Sequence, residues 1–324
     1  MSEQISGKNG ANAIEVAGLE KTFAGSTSIR AVDGVSFQVK QGEIFSLLGP
    51  NGAGKSTTIA MLSCLLRPNG GDARVYGRSV RSDAMAVKSL IGVVPQDIAL
   101  YEDLSARENL DFWGSMYGLE GTVLKTRVAE VLEMIGLSDR QKERVGHYSG
   151  GMKRRVNIGV ALLHKPKVVY MDEPTVGIDP QSRRSILDSV VALKNQGMTV
   201  LYTTHYMEEA EELSDHIAIM DHGKLIACGT NAELIRLVGE TDRITLTINS
   251  ESERVVEAWR GVKGVRQVSA EDGTLTLLVD DSNRVLPGLF EAALAANTRI
   301  TSLDIQAPNL EAVFLHLTGR ALRD

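Results

Sequence analysis

The segment GPNGAGKST, Gly49 to Thr57, restricts this chain more than any other. It follows the apolar run EIFSLLG and opens the run KSTTIAMLSCLL, so it reads as a glycine-rich turn from a buried strand into a helix. In that setting backbone N–H groups and the positive end of the helix dipole converge on an anion. Gly49, Pro50, Asn51, Gly52, Ala53, Gly54, Lys55, Ser56 and Thr57 are therefore expected to cradle the phosphates of a nucleotide. Lys55 would reach the β- and γ-phosphates, and the Ser56 hydroxyl would complete a Mg²⁺ shell.

From Ile14 to about Leu237 short apolar runs alternate with longer amphipathic ones, the pattern of an α/β fold in which helices cover a sheet. SARENLDFWGSMYGL and TVLKTRVAEVLEMIGL have helical periodicity with no strand between them, which predicts an inserted helical subdomain over about 97–164. After Gly239 the order becomes β-α-β-β-α-β, that of a small ferredoxin-like α+β domain, closed by the helix NLEAVFLHLTG with Leu310, Val313, Phe314 and Leu317 on one face. The expected organisation is a flexible tail over 1–13, a nucleotide-binding domain over 14–239 and an accessory domain over 240–324.

No apolar run approaches the roughly 18 residues that span a bilayer, and the polar start MSEQISGKNGANA has no apolar core of a signal peptide, so a cytoplasmic location is expected. A net charge of −6 argues against a nucleic-acid surface. Cys64 and Cys228 lie far apart, outside any zinc spacing, and read as buried, reduced thiols.

VVYMDEP is an apolar strand ending in two carboxylates. Asp172 suits the metal side and Glu173 the side of an attacking water. A second glycine-rich segment, HYSGGMKRR (His147 to Arg155), also looks anion-seeking, which is puzzling in a chain that already holds one phosphate loop.

Taken together, these motifs resemble the ATP-binding subunits of ABC transporters over about Ile14 to Leu237. That resemblance explains the second segment: in the family, the signature loop of one domain closes over the γ-phosphate held by the phosphate loop of another. It implies ATP and Mg²⁺ as ligands, and a homodimer with two shared sites or a pairing with a related subunit. The resemblance further implies that Tyr148, Ser149, Gly150 and Gly151 form the signature contact and that Gln96 in VVPQD touches Mg²⁺ and water at the hinge of the helical subdomain. Asp179 in GIDP would run along the dimer interface, and His205 at the end of VLYTTH would bond the γ-phosphate. Phe23 stands where the family usually stacks a tyrosine on adenine, which implies weak base selectivity; the alternative is a core aromatic.

Two positions depart from the family pattern. Met152 replaces the usual glutamine and Tyr148 the usual leucine, with the phosphate-contacting Ser149, Gly150 and Gly151 intact. Lys153, Arg154 and Arg155 would open the signature helix, where cations oppose the dipole unless an anion or acidic partner is near; a solvated face is the alternative. The C-terminal NLEAVFLHLTGRALRD is similar to the tail of ATPases from daunorubicin-resistance exporters, which work with a separate integral membrane subunit of the ABC-2 class. The function expected is therefore ATP hydrolysis that powers export of a drug, antibiotic or lipid-like compound, with the chain held at the inner face of the cell membrane by its partner. The alternative is a soluble ATP switch acting in DNA repair or translation. A degenerate, non-hydrolysing subunit is disfavoured by Lys55, Glu173 and His205 all being present.

Overall fold

The structure, a computed structural model, describes residues 11–24, 28–239, 242–248, 253–271, 274–306 and 308–319. It divides into two compact units, one running to Thr230 and the other beginning at Asn231.

In chain order, the first unit opens with strands β1 (Asn12–Phe23), β2 (Ile29–Lys40) and β3 (Ile44–Leu48), then helix α1 (Lys55–Leu62). Strands β4 (Gly70–Val75) and β5 (Arg78–Ser79), helix α2 (Ala84–Leu90) and strand β6 (Ile91–Val94) lead into the helical subdomain. That subdomain contains α3 (Ala106–Met116), α4 (Gly121–Met134) and α5 (Gly150–Leu162). The chain returns through β7 (Val168–Asp172), α6 (Pro180–Asn195), β8 (Thr199–Thr204), α7 (Met207–Leu213), β9 (His216–Asp221) and β10 (Lys224–Gly229).

Six strands form one sheet in the order β10-β9-β3-β8-β7-β6, parallel from β9 to β6. Because side chains alternate along a strand, Phe45, Leu47, Val168, Tyr170 and Leu201 pack on one face with α1 and the antiparallel sheet β2-β1-β4-β5. Ile44, Val169, Met171, Val200 and Tyr202 pack on the other face with α5 and α6. Both faces are buried, which is why these strands read as continuous apolar runs. The helical subdomain has its own core of Leu110, Val128, Val131, Leu132 and Val156.

The second unit comprises α8 (Asn231–Ile235), β11 (Asp242–Ile248), α9 (Glu253–Arg260), β12 (Val265–Glu271), β13 (Thr274–Val279), α10 (Ser282–Ala295), β14 (Ile300–Gln306) and α11 (Leu310–Thr318). Its sheet has the order β12-β13-β11-β14, with Trp259, Val285 and Leu289 packed on Ile244, Leu246 and Leu277. The buried Trp259 indole donates to the Leu289 carbonyl at 2.9 Å.

Three expectations need revision. The first is the expected tail over 1–13: residues 1–10 lie outside the described residues, and Asn12 and Ala13 already belong to β1, with Asn12 paired to Lys40 of β2. The unit boundary falls at Thr230, not at Gly239, because α8 packs against α11. Cys228 is exposed on β10 and Cys64 is half-buried.

A chain ended at Thr230 is expected to unfold cooperatively and to keep its nucleotide affinity, since the first unit has its own cores. A thermal melt and a nucleotide titration check this, and an aggregated product would show that the two units share a folding core.

Candidate functional site

The parallel strands β3, β8 and β7 lie side by side, with Leu48 opposite Thr204 and Asp172 opposite Thr203. Their carboxyl ends therefore deliver the phosphate loop, His205 and the Asp172–Glu173 pair to one edge of the sheet, where ligands bind in open α/β folds. Glycine is sterically required in that loop. A Cβ on Gly49 would lie 2.2 Å from the Met220 carbonyl oxygen, and one on Gly54, whose φ is +102°, would lie 2.4 Å from that of Ala31. Gly54 caps α1, so Lys55 and Ser56 stand at the helix N-terminus.

A cavity of about 650 Å³ is lined by Asn51 to Thr57 together with Gln96 and Glu173. Within it Lys55 Nζ donates to the carbonyls of Gly49 (2.6 Å) and Pro50 (3.0 Å) and pairs with Glu173 Oε1 at 3.0 Å. The other Glu173 oxygen lies 3.2 Å from His205 Nδ1. Asp172 Oδ1 accepts from Ser56 Oγ at 3.1 Å and from Thr203 Oγ1 at 2.6 Å. The same Thr203 hydroxyl accepts from the Glu173 amide at 2.9 Å. Glu173 has a φ of +44°, a left-handed conformation that turns it out of the strand path and is uncommon for a non-glycine residue. Two adjacent carboxylates thus point to different tasks, with Thr203 fixing the angle between them. In the sequence Thr203 is one of two adjacent threonines in VLYTTH; its only signal is the two-residue spacing that puts it on the face of His205.

The signature segment is elsewhere. Ser149 caps α5, accepting from the Met152 amide at 3.3 Å, and both Ser149 and Gly150 are exposed. Among the described residues, none of Tyr148 to Met152 lines the phosphate-loop cavity. Gly151 is buried against α6, where a Cβ would lie 2.2 Å from that of Ser182. Asp179 caps α6 through the Ser182 amide at 2.9 Å, and that hydrogen bond holds its carboxyl below the usual range. Phe23 is 44% exposed at the end of β1 with Lys21 over its ring, so the core-aromatic alternative fails.

Tyr148 is a correction. It was expected to contact nucleotide, but its side chain is buried in the helical subdomain and its hydroxyl donates to the Arg140 carbonyl at 2.6 Å. The cationic run divides: Lys153 has the acidic partner that the dipole argument asks for, while Arg154 and Arg155 turn to backbone carbonyls instead of a solvated face. Lys153 pairs with Glu102, Arg155 donates to the Ile135 carbonyl, and Arg154 is buried. Arg154 Nη1 donates to the Pro95 carbonyl at 2.6 Å and Nη2 to that of Gln96, while Asn157 accepts from the Ala99 amide. The signature helix therefore grips the backbone that carries Gln96. Arg154→Met keeps the bulk of the side chain but strands two carbonyls, at an expected cost of about 2–3 kcal/mol, readable as a lowered melting temperature. An unchanged melt would mean that the grip contributes nothing to stability.

Residues 32–176 match the ABC transporter family. The linearmycin resistance ATP-binding protein LnrL of Bacillus subtilis (strain 168) is 47% identical over 315 residues, spanning 96% of this chain and 100% of its own. The daunorubicin/doxorubicin resistance ATP-binding protein DrrA of Streptomyces peucetius is 39% identical, spanning 96% and 94%. Among solved structures, a dimeric ATP-binding cassette in a post-hydrolysis state with ADP and Pi bound is 26% identical and covers 67% of this chain and 98% of its own, with a TM-score of 0.61. An ATP-binding subunit of an ABC transporter is 31% identical over 70% of this chain and 93% of its own, again at 0.61. With a phosphate loop bonded through Ser56 to Asp172 and through Lys55 to Glu173, and Glu173 bonded in turn to a strand-end histidine, this chain belongs to the ABC transporter family as an ATP-binding subunit that hydrolyses ATP.

Proposed function

We propose that this chain powers export of a small drug-like or antibiotic molecule through a separate ABC-2 type membrane subunit, hydrolysing ATP at two composite sites of a homodimer. The observation that carries the composite site is the exposure of Ser149 and Gly150 away from the cavity that holds Lys55 and Glu173. A second copy supplies what the first lacks.

In this reading the amides of the phosphate loop and Lys55 hold the β- and γ-phosphates. Glu173 orients the attacking water and takes its proton, and His205, bonded to Glu173, faces the γ-phosphate. Phe23 stacks on the base. Mg²⁺ fits the donors present: Asp172 gathers only hydroxyl oxygens, and among the described residues no group of three His, Cys, Asp or Glu makes a full protein cage. Such a site suits a cation that takes one or two carboxylates and completes its shell with substrate phosphates and water. Ser56, Asp172 and Gln96 would hold it, and bound there it would neutralise charge on the phosphate oxygens.

Among the described residues no helix is long and apolar enough to cross a membrane, and the full-length likeness to resistance ATP-binding proteins supports a membrane partner in another chain. Tyr101, Phe112 and Met116 form an exposed apolar patch beside the segment that carries Gln96, with the Tyr101 and Phe112 rings 5.0 Å apart. We assign that patch to the membrane subunit, which places the chain peripherally on the cytoplasmic face.

The test is co-expression with the membrane subunit that co-purifies from native membranes. Drug tolerance and drug-stimulated ATPase activity should appear together, and both should vanish with Glu173→Gln. Recovery of an active ATPase that never associates with membranes would overturn the export reading.

A further inference from the structure

Glu209 lies on the first turn of α7, four residues past His205, and is 3% exposed. Three hydroxyls from two segments converge on it. Thr175 Oγ1 donates to Oε1 at 2.7 Å, and Tyr202 Oη and Thr204 Oγ1 donate to Oε2 at 2.9 and 2.8 Å. All three donors are buried. Thr175 is two residues past Glu173 on the turn after β7; Thr204 immediately precedes His205 at the end of β8. Each end of the Glu173–His205 hydrogen bond is thus anchored through its own neighbour to the same carboxylate.

We propose that Glu209 is a positioning residue for ATP hydrolysis, whose buried carboxylate fixes the turn bearing Glu173 against the strand end bearing His205.

The chemistry requires a carboxylate. Two acceptor oxygens with about four lone pairs satisfy three donors at once, whereas a carboxamide would turn one of those oxygens into a competing donor. Tyr202 remains a donor, because burial and the charge on Glu209 raise its pKa well above the usual phenol value. The Thr204 hydroxyl also accepts from the Tyr206 amide at 2.9 Å, so the backbone on both sides of His205 is tied down. Arg183 completes the arrangement from α6: its guanidinium lies 4.4 Å from the Tyr206 ring centre, and its Nε is 3.8 Å from Glu209 Oε1. The Tyr206 ring in turn lies 4.2 Å from that of His205. Glu173 is held at a φ of +44°, a conformation that persists only where its surroundings over-determine it. The bond from Thr175 to Glu209 supplies part of that constraint.

The proposal rests on Glu173 and His205 being the hydrolytic pair. The experiment compares Glu209→Gln, Thr175→Val and the double variant by steady-state ATPase kinetics, by ATP binding measured directly by calorimetry, and by thermal melting. Glu209→Gln is expected to lower kcat about 10- to 100-fold while the ATP Kd shifts less than threefold. Thr175→Val should lower kcat less, and the double variant should be no slower than Glu209→Gln alone, since Thr175 acts only through Glu209. A kcat within twofold of wild type, or kcat and ATP affinity falling together by similar factors, would overturn it. Should Glu209→Gln fail to fold, Tyr202→Phe and Thr204→Val each delete one hydroxyl. A lowered kcat at unchanged ATP affinity in either supports the proposal, and unchanged kcat in both overturns it. The prior assignment is tested separately: hydrolysis that survives Glu173→Gln removes the pair itself, whereas loss there with a normal Glu209→Gln removes only the positioning role.

Discussion

Glu173→Gln is expected to cut steady-state ATP hydrolysis at least ~10²-fold, the scale for a positioned general base, while ATP still binds. The substitution preserves the shape of the side chain and removes its capacity to take a proton from water. The geometry adds a second expectation. Lys55 and Glu173 form a buried pair at 3.0 Å, with side chains 4% and 5% exposed, so the glutamine leaves the ammonium facing two carbonyls and no anion. Breaking one side of a buried pair costs about 3–5 kcal/mol, so the variant should melt lower without nucleotide. Bound ATP offers Lys55 a new anion and should restore much of that loss by linkage. The signature of the assignment is therefore a slow enzyme that nucleotide stabilises more than it stabilises wild type. Lys55→Ala should differ, losing ATP affinity itself. An active Glu173→Gln enzyme would remove this carboxylate from the mechanism.

The second large effect tests whether sites are shared between chains. Lys55→Ala and Ser149→Arg should each abolish hydrolysis in their own homodimers. In the mixed dimer of the two, both lesions fall on one composite site, and the other pairs an intact phosphate loop with an intact signature. Activity should return to a substantial fraction of the wild-type rate. The control is the double variant mixed with wild type, which puts one lesion in each composite site and should stay inactive. If each chain completed its own site, the two outcomes would exchange. The prediction follows from Ser149 and Gly150 being exposed at the start of α5, outside the cavity of their own chain. Ser149→Arg is chosen because that exposure lets the fold accept the larger side chain. Gly151 would be the poorer choice, since Ser182 leaves no room for even a Cβ and a folding defect would be mistaken for a site defect.

Local chemistry made much of this legible. A phosphate loop needs its glycines, lysine and serine contiguous, because one turn and one helix start must supply every donor. The strand ends marked Asp172, Glu173 and His205 for the same reason: an apolar run that stops at a charged side chain is itself a statement about where the sheet edge lies. The β-α-β-β-α-β order after Gly239 and most of the apolar face of α11 were readable from periodicity alone: Leu310, Val313 and Phe314 are buried, and Leu317 is half-buried. Side-chain direction at segments without a period was not readable. Nothing in HYSGGMKRR says that Tyr148 turns into the helical core or that Arg154 reaches back 58 residues to the Gln96 carbonyl. Nor does MEEAEEL say which of four glutamates is buried; the answer is Glu209, because only there do the ends of β7 and β8 present three hydroxyls. The candidate phosphate contacts are legible in one dimension, since that chemistry is written in neighbours along the chain. What holds those residues in place is legible in three dimensions alone, because a buried charge needs partners to offset its desolvation, and here strand register and helix packing bring those partners from distant segments.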